Sequence, residues 1–288
     1  MSTRLDVALA AQGLATSRTH ARRIVEEGRA RVDGVRADKP SAPVDPDSRL
    51  DVVDVPLGGE YASRAAHKLL GALAAFGVDP AHRRCLDAGA STGGFTDVLL
   101  RGGARAVSAV DIGHGQLLAR LREDERVSSL EGTNIRGLDP DRIGGAAELV
   151  VGDLSFISLR TLIADLARLT APGGDLLMMV KPQFEVGRAR LPRSGVVTDP
   201  ALHRAAVVGV VQEAWAHGLE LVGVAASPLP GQDGNREFFV HLRSADPRPA
   251  GAASTLGQAA YDMIDQAVRG PSLPPPAADG TTEGAHRA

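Results

Sequence analysis

The chain of 288 residues holds one cysteine, one tryptophan, two tyrosines and six phenylalanines, and only three of its 32 basic residues are lysine. Each shortage removes a class of function. The single thiol, Cys85, cannot form an intramolecular disulfide, and the eight histidines are scattered without metal-ligand spacing, so no metal site is expected. No apolar run reaches the roughly 20 residues of a membrane span. The first residues, MSTRLDVALAAQG, lack the uninterrupted apolar core of a secretory signal, so a cytoplasmic protein is expected. A formal charge of −3 means that any nucleic-acid-binding surface has to be local. The length allows one sizeable core plus a small module.

In this arginine background the lysines Lys39, Lys68 and Lys181 stand out, because an amine can be tuned in pKa and a guanidinium cannot.

The stretch CLDAGASTGGFTDVLLRGGARAVSAVD, residues 85–111, reads as strand, loop, helix and second strand of a nucleoside-binding sheet. Cys85 and Leu86 end an apolar strand, Asp87 stands at its carboxyl end, and Gly89, Gly93 and Gly94 make a turn that lets the backbone approach a ligand. A helical pattern follows from Gly94 to Leu100, and the apolar run 106–110 stops at Asp111. An acid about 20 residues beyond the loop can accept hydrogen bonds from both ribose hydroxyls. The spacing G-x-x-x-G-G is not the dinucleotide fingerprint, and Asp87 would repel a pyrophosphate. A cationic nucleoside such as S-adenosylmethionine fits better, with Asp87 toward the methionine end and Asp111 on the ribose. The expected cofactor-lining residues are Asp87, Gly89, Ser91, Thr92, Gly93, Gly94, Phe95 and Asp111, with Asp153 nearby.

Residues 1–60 form a separate compositional unit. Leu5, Leu9 and Leu14 space one helix, Ser17 caps a second over 19–27 that Gly28 closes, and short strands follow around the Asp33-Gly34 turn and over 49–55. Residues 1–40 carry eight basic against five acidic side chains. Arg4, Arg18, Arg22, Arg23 and Arg29 are therefore candidate phosphate contacts. The segment RLDVALAAQGLATSRTHARRIVEEGRARVDG resembles the small RNA-binding module named after ribosomal protein S4, in its R-L-D, S-R and closing V-D-G elements, and departs from it at Ala30.

A Pro/Gly hinge over 54–61 precedes a helix over 63–76 that carries Lys68. After the nucleoside-binding stretch the pattern predicts strands over 126–130, 147–154 and 175–180, with a helix over 158–169. A polar, glycine-rich substrate loop without helix is expected over 182–196. A helix over 200–216 and strands over 219–226 and 237–242 complete the pattern. The alternation implies a parallel, doubly wound sheet, and the link SPLPGQDGN is too short for a crossover helix, so the seventh strand should run backwards. The fold expected is α/β, a Rossmann-like seven-stranded methyltransferase sheet with a reversed last strand over 61–244, behind a small α+β domain. Residues 245–288 read as one weak helix, 256–268, and a disordered tail.

This topology brings Asp153, Lys181 and Glu237 to the carboxyl edge of the sheet, beside Lys68. Two lysines and two acids there suit methyl transfer to an alcohol. A lysine beside another cation can take the hydroxyl proton, or its charge can stabilise a forming alkoxide, while the acids orient the amines. Amino methylation would call for a D/N-P-P-Y/F turn after the fourth strand, where Asp153-Leu154-Ser155-Phe156 stands. Pyrimidine carbon methylation would need a loop cysteine, whereas Cys85 lies in a strand. Phe156 and Phe184 flank the site, either as base-stacking rings or, for Phe156, as core.

The segments SRAAHKL, CLDAGASTGGFTDVLL, DLSFISL, VKPQFEVG and SPLPGQDGN, in this order behind the S4-like module, resemble the TlyA (hemolysin A) family of ribosomal RNA 2'-O-methyltransferases, related to FtsJ. The resemblance implies S-adenosylmethionine-dependent methylation of cytidine ribose in the RNA of one or both ribosomal subunits, with the tetrad Lys68, Asp153, Lys181 and Glu237; a monomer is expected. A longer N-terminal module suggests the kind that acts on both subunits. Three rivals remain: a haemolytic protein, which needs a membrane-active element that is not visible; an RNA-binding assembly factor with a vestigial cofactor site; and a nicotinamide dehydrogenase, disfavoured by the glycine spacing.

Overall fold

The computed structural model describes residues 2–15, 17–26, 29–53, 61–231, 233–245 and 256–273, without the side chains of Arg23 and Glu26. The expected helix end at Gly28, the hinge up to residue 60 and the tail beyond 273 lie outside the described residues.

In the N-terminal part, β1 (Thr3–Arg4), α1 (Leu5–Ala11), α2 (Arg18–Glu26), β2 (Ala30–Val32), β3 (Val35–Arg36), β4 (Pro43–Val44) and β5 (Leu50–Val52) follow one another. The Ser17 hydroxyl accepts the His20 N–H at 3.1 Å, the cap expected at the start of α2. Leu5, Leu9, Ile24, Val25, Ala30 and Leu50 bury the apolar faces of these elements against one another in a separate small core.

The larger part contains α3 (Ala66–Phe76), β6 (Arg84–Ala88), α4 (Gly94–Arg101), β7 (Ala106–Val110), α5 (Ala119–Arg122), β8 (Val127–Leu130), β9 (Ala147–Gly152), α6 (Ile163–Leu169), β10 (Thr170–Val180), α7 (Pro182–Glu185), α8 (Pro200–Ala216), β11 (Leu219–Ala226), β12 (Phe238–Ser244) and α9 (Gln258–Arg269). Its seven strands run in the order β11-β12-β10-β9-β6-β7-β8. The pairs β9–β10, β6–β9, β6–β7 and β7–β8 are parallel, whereas β12 is antiparallel to both β10 and β11. The expected reversal of the last strand is therefore present.

Alternation along the strands divides the core between two faces. Leu176, Met178 and Val180 join Val150, Phe238 and Val240 under α6, α8 and α9. Leu177 and Met179 join Leu149, Val151 and Phe239 under α3 and α4. Covered on both sides, β9 and β10 read as nearly continuous apolar runs.

Several local expectations are corrected. The helix expected over 63–76 begins as regular helix only at Ala66, and the Ser63 hydroxyl before it accepts the Ala65 N–H. The expected helix over 158–169 is a 3-10 turn, Leu159–Thr161, followed by α6. The loop after Lys181 opens with one turn of helix, α7, because Pro182 occupies its first position, where a missing N–H costs nothing. The helix expected over 256–268 is present as α9, with Ile264, Ala267 and Val268 buried, and it packs on β11 and α8.

Candidate active site

The loop between β6 and α4 follows from its glycines. Gly89 has φ +86° and Gly93 φ +99°, where any Cβ is strained, and a Cβ on Gly93 would meet the Leu121 side chain at 2.2 Å. Asp111, just past β7, fixes the facing side: its Oδ2 accepts the Ser91 N–H at 2.8 Å and its Oδ1 the Gly113 N–H at 2.7 Å. Glu131 accepts the Gln116 and Leu117 N–H groups at 2.7 and 3.3 Å and so shapes the next loop. Ile112, beside Asp111, leaves 71% of its surface in solvent and offers an apolar platform that sequence reading missed.

Other expected lining residues have different duties. The Phe95 side chain is 3% exposed and stacks on Phe239 in the core, so it can offer a ligand only its backbone. Gly94 is needed for packing, since a Cβ there would lie 2.4 Å from the Ser63 hydroxyl. Thr92 is buried. Asp87, near the end of β6, is fully buried. One of its oxygens accepts the Thr96 hydroxyl at 2.7 Å, and the other, Oδ1, has no hydrogen-bond partner. Burial pushes this carboxyl up to about 7 although Thr96 opposes the shift. An unpartnered buried carboxyl oxygen, a loop that turns on Gly89 and Gly93 and an acid just past β7 fit a cationic nucleoside with a free ribose.

At the same edge the four expected catalytic side chains meet. Lys68, on the first turn of α3, places Nζ 2.6 Å from Glu237 Oε2 and 3.8 Å from Asp153 Oδ2. Lys181, at the end of β10, places Nζ 2.6 Å from Asp153 Oδ1 and donates to the Ser155 hydroxyl at 2.7 Å. Lys68, Lys181 and Glu237 are buried. Two cations and two carboxylates cancel, which is how buried charges are tolerated. Burial alone would raise the Asp153 pKa, but the charges of Lys181 and Lys68 outweigh it and hold the carboxyl below its ordinary range. Ser155 is exposed, so its hydroxyl marks a direction from which an alcohol oxygen can reach Lys181.

The turn before β12 seats Glu237. A Cβ on Gly231 would come within 2.5 Å of Glu237 Oε1, so this glycine makes room for the carboxylate. Asn235, buried, accepts the Val197 N–H at 2.9 Å and donates to the Gly195 carbonyl at 3.0 Å, tying the end of the expected substrate loop to this turn. Neither residue has a periodic signal; the density of Gly and Asn in SPLPGQDGN was the only clue.

The Phe156 alternatives are resolved against core packing. Its side chain is 92% exposed at φ +64°, and its ring centroid lies 5.5 Å from that of Phe184. A bulky residue in the left-handed region carries strain, which accumulates at functional sites. Cys85 is buried in β6, and burial pushes its thiol up to about 12, which leaves it unreactive.

Among the candidate phosphate contacts, Arg4 and Arg18 share the buried Asp6: Arg4 Nε lies 2.9 Å and Arg18 a longer 3.4 Å from its oxygens. Arg29 donates to the Val53 carbonyl at 3.1 Å, Arg22 is exposed, and the Arg23 side chain lies outside the described residues.

Comparison with known proteins matches residues 61–244 to the FtsJ-like methyltransferase family and residues 3–50 to the S4 domain. A 16S/23S rRNA (cytidine-2'-O)-methyltransferase TlyA from Mycobacterium tuberculosis is 49% identical over 91% of this chain and 97% of its own. A protein named Hemolysin A from Brachyspira hyodysenteriae is 33% identical over 83% of this chain and 99% of its own. A solved structure from Streptococcus thermophilus, 36% identical, superposes with a TM-score of 0.69 over 92% of this chain and 95% of that one.

Proposed function

The chain belongs to the FtsJ-like methyltransferase family, in its TlyA branch with an N-terminal S4 domain, and on that premise we propose that it methylates the 2'-oxygen of cytidine in ribosomal RNA. The observation that carries this reading is the neutral cluster of Lys68, Asp153, Lys181 and Glu237 beside the Gly93 loop and Asp111.

Bound S-adenosylmethionine supplies an electrophilic methyl group. Asp111 would hold its ribose, Ile112 would support its adenine, and the unpartnered oxygen of Asp87 would balance its cationic end. The 2'-hydroxyl approaches Lys181 from the side of Ser155. Lys181 gives up a proton to solvent, and its amine then takes the hydroxyl proton as the oxygen becomes a nucleophile, which restores the ammonium that Asp153 balances at 2.6 Å. Lys68, held at 2.6 Å by Glu237, keeps a second positive charge near the developing alkoxide. Phe156 and Phe184 offer the acceptor base apolar faces to stack on.

The S4 domain supplies phosphate contacts that the methyltransferase domain has few of, and Arg188 and Arg193 on the exposed loop add to them. The enzyme acts as a cytoplasmic monomer on RNA within ribosomal subunits of one or both kinds. No described helix is long and apolar enough to cross a membrane, so the haemolytic reading gains no support from that side.

Incubating the protein and S-adenosylmethionine with each ribosomal subunit, then mapping 2'-O-methyl positions, tests this directly. Methyl groups should appear on cytidine riboses. Methylation of bases alone, or bound cofactor without transfer to either subunit, would overturn the reading.

A further inference from the structure

We propose that Glu185 is a positioning residue for methyl transfer: it clasps the loop that carries Lys181 to the loop that carries Asp153. The proposal rests on the methyl-transfer reading above. The two loops leave the carboxyl ends of the neighbouring parallel strands β10 and β9. Glu185 bridges them with both carboxylate oxygens, accepting the Ser158 hydroxyl and the Leu159 N–H, each at 2.6 Å. Hydrogen bonds to a carboxylate at this distance are of the strong, charge-assisted kind.

The turn that Glu185 ends has little to hold it otherwise. α7 is four residues long, and its backbone closes with Val186 N–H to the Pro182 carbonyl at 3.0 Å and Phe184 N–H to the Lys181 carbonyl at 2.9 Å. A single turn is unstable alone, because fixing its dihedrals costs more than one or two hydrogen bonds return. Its shape is set by what its side chains reach. Lys181 meets Asp153 and Ser155, Gln183 Nε2 lies 3.4 Å from Glu237 Oε1, and Glu185 meets Ser158 and Leu159. Glu237 as a carboxylate only accepts, so the Gln183 atom turned toward it is the amide nitrogen. Phe184 meets Phe156. Gln183 thus makes a long contact with the β12 side of the tetrad, and Glu185 fixes the β9 side. The clasp holds together the spacing from Lys181 to Asp153 and from Phe184 to Phe156. Burial pushes the Glu185 carboxyl above its ordinary range, against the pull of Ser158 and Leu159, as expected of a group enclosed between two loops.

Displacing a reacting group by about 1 Å can cost on the order of 100-fold in rate. Glu185→Ala should therefore lower kcat for ribosomal RNA by about 10- to 100-fold, with affinity for S-adenosylmethionine within about two-fold of wild type, since Glu185, Ser158 and Leu159 are not among the expected cofactor-lining residues. Glu185→Gln can rebuild both contacts, its oxygen accepting from Leu159 and its amide donating to the Ser158 hydroxyl, and should recover most of the rate. Hydrogen exchange reads the clasp without catalysis: the Leu159 and Val186 amides should lose protection in Glu185→Ala and regain it in Glu185→Gln, while Ser91 and Gly113 do not change. The proposal is overturned if Glu185→Ala keeps a wild-type kcat, if cofactor affinity falls in step with kcat, if Glu185→Gln is as slow as Glu185→Ala, or if those amides exchange as in wild type. Wild-type protein that transfers no methyl to RNA would refute the methyl-transfer reading and leave the exchange result to judge the clasp.

Discussion

Asp153 sets Lys181 within direct ion-pair distance, Nζ to Oδ1 2.6 Å, while its other oxygen stands 3.8 Å from Lys68. One carboxylate thus serves two amines unequally, and the nearer amine is the one with an exposed hydroxyl beside it. Lys181→Arg keeps the charge but removes the only member of the pair able to act as a base at this position. Methyl transfer should fall about 100- to 10,000-fold, with cofactor affinity nearly intact. Single-turnover rates beside calorimetric titration check both halves. A loss of only a few-fold would make Lys181 an electrostatic residue.

Asp111 holds two backbone N–H groups as well as the proposed ribose, so its removal should loosen the loop and the ligand together. Asp111→Ala should weaken S-adenosylmethionine binding by about 1 to 3 kcal/mol, the range for a charged acceptor. Equal affinity in wild type and variant would move the ribose contact elsewhere.

Asp87 gives a pH dependence with a definite sign. Its pKa rises to about 7 in the folded chain because it is buried, whereas an unfolded aspartate titrates near about 3.9. Between those values the folded state binds more protons, so this group makes stability fall as pH rises from about 4 to about 7 and adds no further slope well above that. A cationic ligand favours the carboxylate form. Affinity for S-adenosylmethionine should accordingly rise from about pH 6 to about pH 8 with release of a proton, seen as a buffer-dependent binding enthalpy. Asp87→Asn should flatten both profiles, and a wild-type affinity that does not change with pH would remove Asp87 from the cofactor site.

Asp6 offers a test in which positioning and net charge predict opposite signs. It is buried and bridges Arg4 and Arg18. Asp6→Asn makes the S4 domain more basic, yet it should weaken RNA binding, because the two arginines lose the group that aims them. The slope of log affinity against log salt should flatten by about 0.7 to 0.9 for each phosphate that an arginine no longer neutralises. A tighter complex with a steeper slope would show that Asp6 only dampens the positive field.

Element type and chain direction are legible in the sequence because they are written in local chemistry. The strand Ala106–Val110, the helix Pro200–Ala216 with its Asp199 cap and the strand Leu219–Ala226 stand where periodicity and end signals put them. The four catalytic side chains could also be chosen, since residues at the carboxyl ends of neighbouring parallel strands, and at the start of a reversed one, must share an edge. Contacts between loops carry no such period. Phe95 and Phe156 look alike as letters, but one turns into the core beside Phe239 and the other stands 92% exposed on a left-handed backbone. The Glu185 clasp, the room that Gly231 leaves for Glu237 and the docking of α9 on β11 depend on segments far apart in sequence. A chain read locally specifies which face of an element is apolar; what that face, or a loop residue beside it, finally meets is settled when the elements pack and every buried polar group has to find its partner.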